Sequence, residues 1–208
     1  HRPVYLKATS AGGSITGILP LFLVNGLGGR RLVSVPMRDR GGLLAVDEAS
    51  ARALVKRAVE LSREFGCKYL ELRSTEEFDP QLAGEFGIIV RKDWITTRVD
   101  LSPGVDRLWK ALDKNAIRWA INKAGRSDVT FEANNTPEGV ELFFELFVRT
   151  RTRMGIPPFP RELFAAMWCH LISKGRANLF VVRQRGVPIH AMISFLSKDT
   201  FIPAYAAP

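Results

Sequence analysis

The chain has 208 residues, of which 46% are hydrophobic and 25% charged, a composition typical of a globular protein with one or two domains. No apolar run approaches the roughly 20 residues of a membrane-spanning helix, and the N-terminus lacks the apolar region of a secretory signal. Lys and Arg total 30 against 21 Asp and Glu, a net charge of +9 that favours partners bearing phosphates or carboxylates.

The first half of the chain reads as three strands followed by a helix. Alternation of apolar and polar residues predicts strands at 4–8, at 14–24 and in "RRLVSVP". A helix is predicted over 46–65, with Asp47 as its N-cap and Gly66 just past its end. "KYLELRS" predicts a further strand, 79–86 a short helix, and "GIIVRKDWITTRVDLS" a strand, a turn and a strand.

The second half begins where Ser102 and Pro103 predict a helix start, as cap and first residue, in a helix that ends near residue 124. "DVTFEANN" predicts a strand, Thr136 and Pro137 open a second helix, and "RELFAAMWCHLISKG" forms a third. Three strands joined by "RG" and "SKD" turns follow. The order predicts a mixed α/β (α+β) protein with two related halves and a boundary between residues 101 and 104.

Basic residues are concentrated in the first helix of the second half. Arg107, Lys110, Lys114 and Arg118 share one face of a continuous helix, and Lys123 extends the charge. Like charges at this spacing destabilise a helix, which an anionic partner would relieve. A phosphate-binding stripe and an ordinary solvated face are both consistent with this pattern.

Two further arginine clusters stand beside turn-forming sequence. In "RTRTRMGIPPFP", Arg149, Arg151 and Arg153 precede a proline-rich elbow; a spacing of two prevents all three from sharing one helical face. In "PMRDRGGLL", Arg38 and Arg40 precede two glycines, which allow a ligand to approach the backbone. A solvated helix end and a surface loop with an internal ion pair are the alternatives.

The chain has no known catalytic or metal-binding motif, and no catalytic residue is assigned. His170 is interpreted as structural, and His190 as structural or as a buried base. Cys67 and Cys169 lie in no zinc spacing and are interpreted as reduced core residues of a cytosolic protein. Trp109 and Trp119 are interpreted as core residues too.

Several segments in this order resemble the FemAB group of proteins, in particular its branch associated with exopolysaccharide and exosortase systems. They are "GILPLFLV", "RRLVSVPMRDRGGLL", "YLELRS", "LWKALDKNAIRWAINKAGRSDVTFE", "ELFVRTRTRMGIPPFPRELFAAM" and "LFVVRQRGVPIHAMISF" with "YAA". The resemblance implies two GNAT-like mixed-sheet domains with flanking helices, assigned to 1–101 and 102–208. Family members continue beyond the "YAA" strand, so the second domain is expected to be incomplete at its C-terminus.

The resemblance further implies an N-acyltransferase of the cytoplasm. Its donor would be aminoacyl-tRNA or acyl-CoA, with no covalently bound cofactor and no metal, and its acceptor an amine of a peptidoglycan or exopolysaccharide precursor. Backbone N–H groups of a splayed strand are expected to assist the reaction. A peripheral contact with the inner membrane is left open. The predicted substrate-binding residues are Arg38, Arg40, Lys114, Arg118, Lys123, Arg149, Arg151, Arg153 and Tyr205.

Two other functions are carried as alternatives. The basic helix could bind RNA or an anionic polysaccharide without catalysis, or the chain could be a scaffold that functions only together with further segments.

Overall fold

The computed structural model describes residues 1–26, 28–36, 41–74, 77–93 and 95–208. The chain divides into two compact units, His1–Thr97 and Arg98–Pro208, each with its own sheet. The mixed α/β class predicted from the sequence is confirmed. The assignment of 1–101 and 102–208 to two GNAT-like domains stays a proposal.

The first unit is built on a mixed sheet in which β1, β2, β3 and β5 are neighbours in that order and β4 pairs with β2. β1 to β3 are antiparallel, whereas β5 joins β3 in parallel after the crossover through a helix. The elements are β1 Arg2–Thr9, β2 Ile15–Gly26, β3 Gly29–Val33, β4 Leu44–Ala45, α1 Glu48–Glu64, β5 Tyr69–Glu71 and α2 Pro80–Phe86.

The core of the first unit lies between one face of this sheet and α1. Leu19 and Leu21 alternate with outward residues along β2 and are completely buried, and Leu54 and Ala58 of α1 pack in the same cluster. The predicted cap is confirmed, since the Asp47 carboxylate accepts a hydrogen bond from the Ser50 backbone N–H at 2.7 Å. α1 therefore begins where the local sequence sets it.

The second unit has a four-stranded antiparallel sheet in the order β6, β7, β8, β9. Its strands are β6 Val129–Ala133, β7 Ala177–Gln184, β8 Val187–Ser197 and β9 Thr200–Ala207. Its helices are α3 Val105–Ala111, α4 Trp119–Gly125, α5 Pro137–Arg153 and α6 Arg161–His170, with a π-helical turn at Lys114–Arg118 and a 3-10 turn at Ile172–Lys174.

An aromatic core joins α5 and α6 to this sheet. Phe143 and Phe164 are completely buried with their ring centroids 5.2 Å apart, and Phe147 lies 5.1 Å from Phe164. Leu179 and Ile193 of the sheet belong to the same cluster. Each of these rings buries a large apolar area, so the position of α5 against the sheet is well fixed.

The strand, turn and strand predicted in "GIIVRKDWITTRVDLS" are wrong for the described residues of this segment, none of which lies in a strand. Ile89 is 87% exposed and Ile95 is 94% exposed. Apolar side chains favour a strand only where one face is covered, and these isoleucines have no such cover.

The continuous helix predicted from Ser102 to about residue 124 is also wrong. α3 ends at Ala111, and the backbone of the following Leu112 is extended. Asp113 caps a new helical turn by accepting from the N–H groups of Asn115 and Ala116. The Ser102 hydroxyl donates to Asp100 instead of capping α3. A second N-cap within the segment competes with helix continuation, because Asp favours the cap over the helix interior.

Among the described residues, no helix has both the length and the apolar character needed to cross a membrane.

Candidate functional site

The arginine cluster (Arg149, Arg151 and Arg153) lies in the last two turns of α5, which stays helical through Arg153. The neighbouring Thr150 is buried, and its hydroxyl donates to the Pro208 carbonyl at 2.5 Å. This bond fixes the end of α5 against the end of β9. The cluster is thereby placed beside the last strand of the sheet.

Arg151 rests on a pair of phenylalanine rings, which we call the aromatic shelf (Phe147 and Phe159). Its guanidinium carbon lies 5.0 Å from the centroid of each ring. Phe147 comes from the preceding turn of α5, and Phe159 from the proline elbow. Cations over aromatic faces are held electrostatically, so Arg151 is fixed in place. Sequence reasoning missed Phe159, although its place between two prolines after an arginine cluster was the available signal.

Arg149 and Arg153 are four residues apart and therefore share a face of α5 that differs from the face of Arg151. Both are exposed, and neither makes a side-chain hydrogen bond or ion pair with any described residue. Their charges favour the C-terminal end of the helix dipole. Two adjacent, unneutralised guanidinium groups are suited to an anion with several oxygen atoms.

β9 contains a β-bulge next to the arginine cluster. Ile193 of β8 opposes Tyr205, but the next residue, Ser194, opposes Pro203, so two residues of β8 face three of β9. Among the described residues no further strand pairs with the outer edge of β9. Bulges re-aim backbone groups and recur beside active sites.

Tyr205 connects this strand to the aromatic shelf. Its ring is buried and lies edge-on to Phe159 at 6.1 Å and to Phe164 at 5.8 Å. The structure thus brings two predicted site residues, Arg151 and Tyr205, onto the same phenylalanine. Because the Tyr205 ring is part of the core, its predicted role in substrate binding stays a prediction.

The predicted stripe of Arg107, Lys110, Lys114 and Arg118 does not form one face, because the helix breaks at Leu112. Lys114 and Arg118 lie on the π-helical turn, and Lys123 follows on α4. Arg118 Nε is shielded from solvent and has no hydrogen-bond partner in the described part of the chain. Lys114, Arg118 and Lys123 therefore form one group, and the break at Leu112 separates them from Arg107 and Lys110 on α3.

Arg38 and Arg40 lie outside the described residues, but the glycines that follow them are described. A side chain on Gly41 would come within 2.4 Å of Val35, and one on Gly42 within 2.7 Å of the Arg73 carbonyl oxygen. Val35 and the Arg73 carbonyl therefore occupy the space beside the two glycines in which we expected a ligand. Val35 has a φ of +49°, which is strained for a β-branched residue and brings its side chain against Gly41.

The remaining titratable candidates show no catalytic arrangement. His170 is exposed and His190 half-buried, and among the described residues no group of three or more His, Cys, Asp or Glu is placed to hold a metal. Cys169 is exposed, so its interpretation as a core residue is wrong, as is that of Trp119. Burial raises the pKa of the Cys67 thiol. This effect exceeds the lowering by a hydrogen bond from Ser62 and by the positive charge of Arg30.

Comparison with protein families decides the type of fold in the second unit. Residues 113–207, from the cap of the π-helical turn to the end of β9, match the acetyltransferase (GNAT) domain family. The second unit is therefore similar to a GNAT acetyltransferase domain. This GNAT match includes α5, α6 and the bulged β9, so the arginine cluster lies inside it. A comparison with curated protein sequences gave no match.

Three solved structures resemble nearly the whole chain. FemX has a TM-score of 0.57 at 19% identity, and the aligned region covers 88% of this chain and 48% of the FemX chain. The C-terminal domain of a putative lysylphosphatidylglycerol synthetase from Agrobacterium fabrum has a TM-score of 0.52 at 13% identity, covering 98% and 62%. A tandem GNAT protein from the clavulanic acid biosynthesis pathway has a TM-score of 0.51 at 18% identity, covering 95% and 61%.

These similarities confirm the resemblance to FemAB-like GNAT acyltransferases that the sequence indicated. At such identities the structural likeness establishes the fold. The chain spans about half to three fifths of the length of these proteins. Donor and acceptor are consequently matters for proposal.

Proposed function

We propose that the protein is an N-acyltransferase of the FemAB type that joins an acyl or aminoacyl group to an amine of a peptidoglycan or exopolysaccharide precursor. The observation that supports it most is the bulge in β9, which lies in the same GNAT match as the arginine cluster, with the end of β9 bonded to α5. The donor is acyl-CoA or aminoacyl-tRNA, used as a substrate. Both donors are made in the cytoplasm, and we place the reaction there.

The chemistry is the attack of a neutral amine on an activated carbonyl carbon. A C–N bond forms while the C–S bond of a thioester, or the C–O bond to the tRNA ribose, breaks. The proton of the amine goes to the departing sulfur or oxygen. The reaction needs alignment of the two substrates and hydrogen-bond donors for the developing oxyanion, and we assign that second role to backbone N–H groups of β9.

Arg149 and Arg153 are proposed to hold donor phosphates from the end of α5. They are exposed, one turn apart and without an acidic partner among the described residues. Arg151 lies on the other side of the buried Thr150, fixed by the aromatic shelf. We assign to it the orientation of the donor at the bulge, because a fixed guanidinium loses little entropy on binding.

Donor binding tests this proposal directly. Acetyl-CoA and a charged tRNA are titrated into the protein by calorimetry, and the donor that binds is compared with its dephosphorylated form or with uncharged tRNA. The paired variant Arg149→Gln/Arg153→Gln should weaken binding by about tenfold or more, since charge-assisted hydrogen bonds contribute about 1.5–3 kcal/mol each. The variant Lys56→Gln/Arg63→Gln removes two exposed charges in the first unit and serves as the matched control.

Turnover is then scored by mass spectrometry. An amino sugar and a lysine-containing stem peptide are offered as acceptors, and the amide product identifies both substrates. Absence of binding to either donor, or equal weakening by the control variant, would contradict the proposal.

The second candidate is an RNA- or polysaccharide-binding module without catalysis, supported by the basic residues Lys114, Arg118 and Lys123. It predicts tight, steeply salt-dependent RNA binding and no amide product under conditions that support donor binding.

A further inference from the structure

The basic segment (residues 114–126) carries three exposed large apolar side chains within five residues. No residue of α3, the π-helical turn or α4 is buried. Ile117 is 46% exposed, Trp119 54% and Ile121 47%. Soluble proteins usually cover such clustered large apolar side chains, so a cluster of them marks a contact surface.

The same segment is strongly positive. It holds Lys114, Arg118, Lys123 and Arg126 and not one Asp or Glu, since Asp113 and Asp128 lie just outside it. The positive charge of this segment therefore favours an anionic partner.

The geometry favours lipid over nucleic acid. Ile117 and Ile121 are four residues apart and share a face, while Trp119 carries the Lys123 ammonium 4.8 Å above its ring on another face. Bases of RNA stack on aromatic rings, and Trp119 is the segment's single aromatic residue. Isoleucines give nothing to a base, whereas the boundary between headgroups and acyl chains accepts isoleucine, tryptophan and lysine together.

We propose that the basic segment is a membrane-contact element that docks the protein on bilayers rich in anionic phospholipid. Ile117 and Ile121 enter the acyl boundary, Trp119 sits at headgroup level, and the four basic side chains bind lipid phosphates. Each Lys or Arg near such a surface strengthens binding about fivefold, so the four basic side chains favour an anionic bilayer as the partner.

Vesicle flotation with the 208-residue protein tests this element. Binding is expected to vesicles of equal parts phosphatidylcholine and phosphatidylglycerol, to be lost in high salt, and to be absent for phosphatidylcholine alone. Lys114→Gln/Lys123→Gln/Arg126→Gln should lower the partition coefficient by on the order of a hundredfold. The control Lys56→Gln/Arg63→Gln/Lys68→Gln removes the same charge from the first unit and should bind as the parent does.

The apolar contribution has its own test. Ile117→Ser/Ile121→Ser keeps the charge and should weaken vesicle binding by tenfold or more. A protein that retains Trp119 as its sole tryptophan should show a blue-shifted emission on anionic vesicles, and one that retains only Trp168 should not. Circular dichroism checks that each variant keeps its helix content.

Three results would overturn the proposal: equal binding by the charge variant and its control, binding of tRNA through these side chains with none to vesicles, or self-association that shields Trp119 without lipid. Flotation needs no turnover, so a failed acyl-transfer assay leaves its result unaffected.

Discussion

Arg151 should contribute measurably more to stability than Arg153, although both are arginines in the last turn of α5. The proposed change is Arg151→Gln, with Arg153→Gln as the control. Gln has nearly the helix propensity of Arg, and both variants lose the same favourable interaction with the helix dipole. The two variants differ in the aromatic shelf, because Arg151 contacts it and Arg153 does not.

The structure sets the size of the effect. Arg151 lies 5.0 Å from the Phe147 centroid and 5.0 Å from the Phe159 centroid, and it is half-buried. Each such contact contributes about 0.5–1 kcal/mol, so the loss in the free energy of unfolding should be about 1–2 kcal/mol. Arg153→Gln should lose a few tenths of a kcal/mol, which is the dipole contribution alone.

Urea unfolding followed by tryptophan fluorescence measures this difference, because three of the four tryptophans, Trp109, Trp119 and Trp168, lie in the second unit. A double-mutant cycle of Arg151→Gln with Phe159→Leu should give a coupling energy of about 0.5–1 kcal/mol. Equal losses for the two arginine variants, or zero coupling to Phe159, would show that Arg151 is not held by the shelf.

Three further predictions concern separate features. Gly42→Ala should destabilise the first unit by about 1–3 kcal/mol, because the new Cβ would lie 2.7 Å from the Arg73 carbonyl oxygen. Gly84→Ala adds its Cβ in open space on α2 and should stabilise the unit by about 0.5–1 kcal/mol. Thermal unfolding compares the two variants. Thr136→Ala should cost about 1 kcal/mol in denaturant unfolding, since the Gly139 N–H loses its cap, and Thr136→Ser should restore most of it. Iodoacetamide should alkylate the exposed Cys169 well before Cys67, because the raised pKa of Cys67 leaves less thiolate at a given pH. Peptide mapping across the alkaline range should show that the alkylation rate of Cys67 rises at a higher pH than that of an ordinary thiol.

Helix starts that depend on one side chain and its near neighbours were predictable from the sequence. Asp47 and Thr136 each accept from a backbone N–H three residues ahead, as their sequences indicate. The helix break at Asp113 also depends on a local bond, from the Ala116 N–H to the Asp113 carboxylate. Asp113 was therefore a signal for the break, but the apolar periodicity of the segment favoured a continuous helix.

The candidate site was predictable in its residues but not in its contacts. The arginine cluster and the proline elbow stand out in the sequence. That Arg151 alone turns toward Phe147 and Phe159 depends on α5 remaining helical through Arg153 and on the path of the elbow. Similarly, the two glycines were interpreted as room for a ligand, and the fold fills that room with Val35 and Arg73.

The sequence by itself determined most of the strands, the helix caps at Asp47 and Thr136 and the positive charge, because alternation, capping and turn chemistry act over a few neighbouring residues. The tertiary structure alone decided the bulge in β9, the bond from Thr150 to Pro208 and the exposure of Trp119. Those features join residues far apart in the chain or depend on what covers a side chain, and no local pattern of residues contains that information.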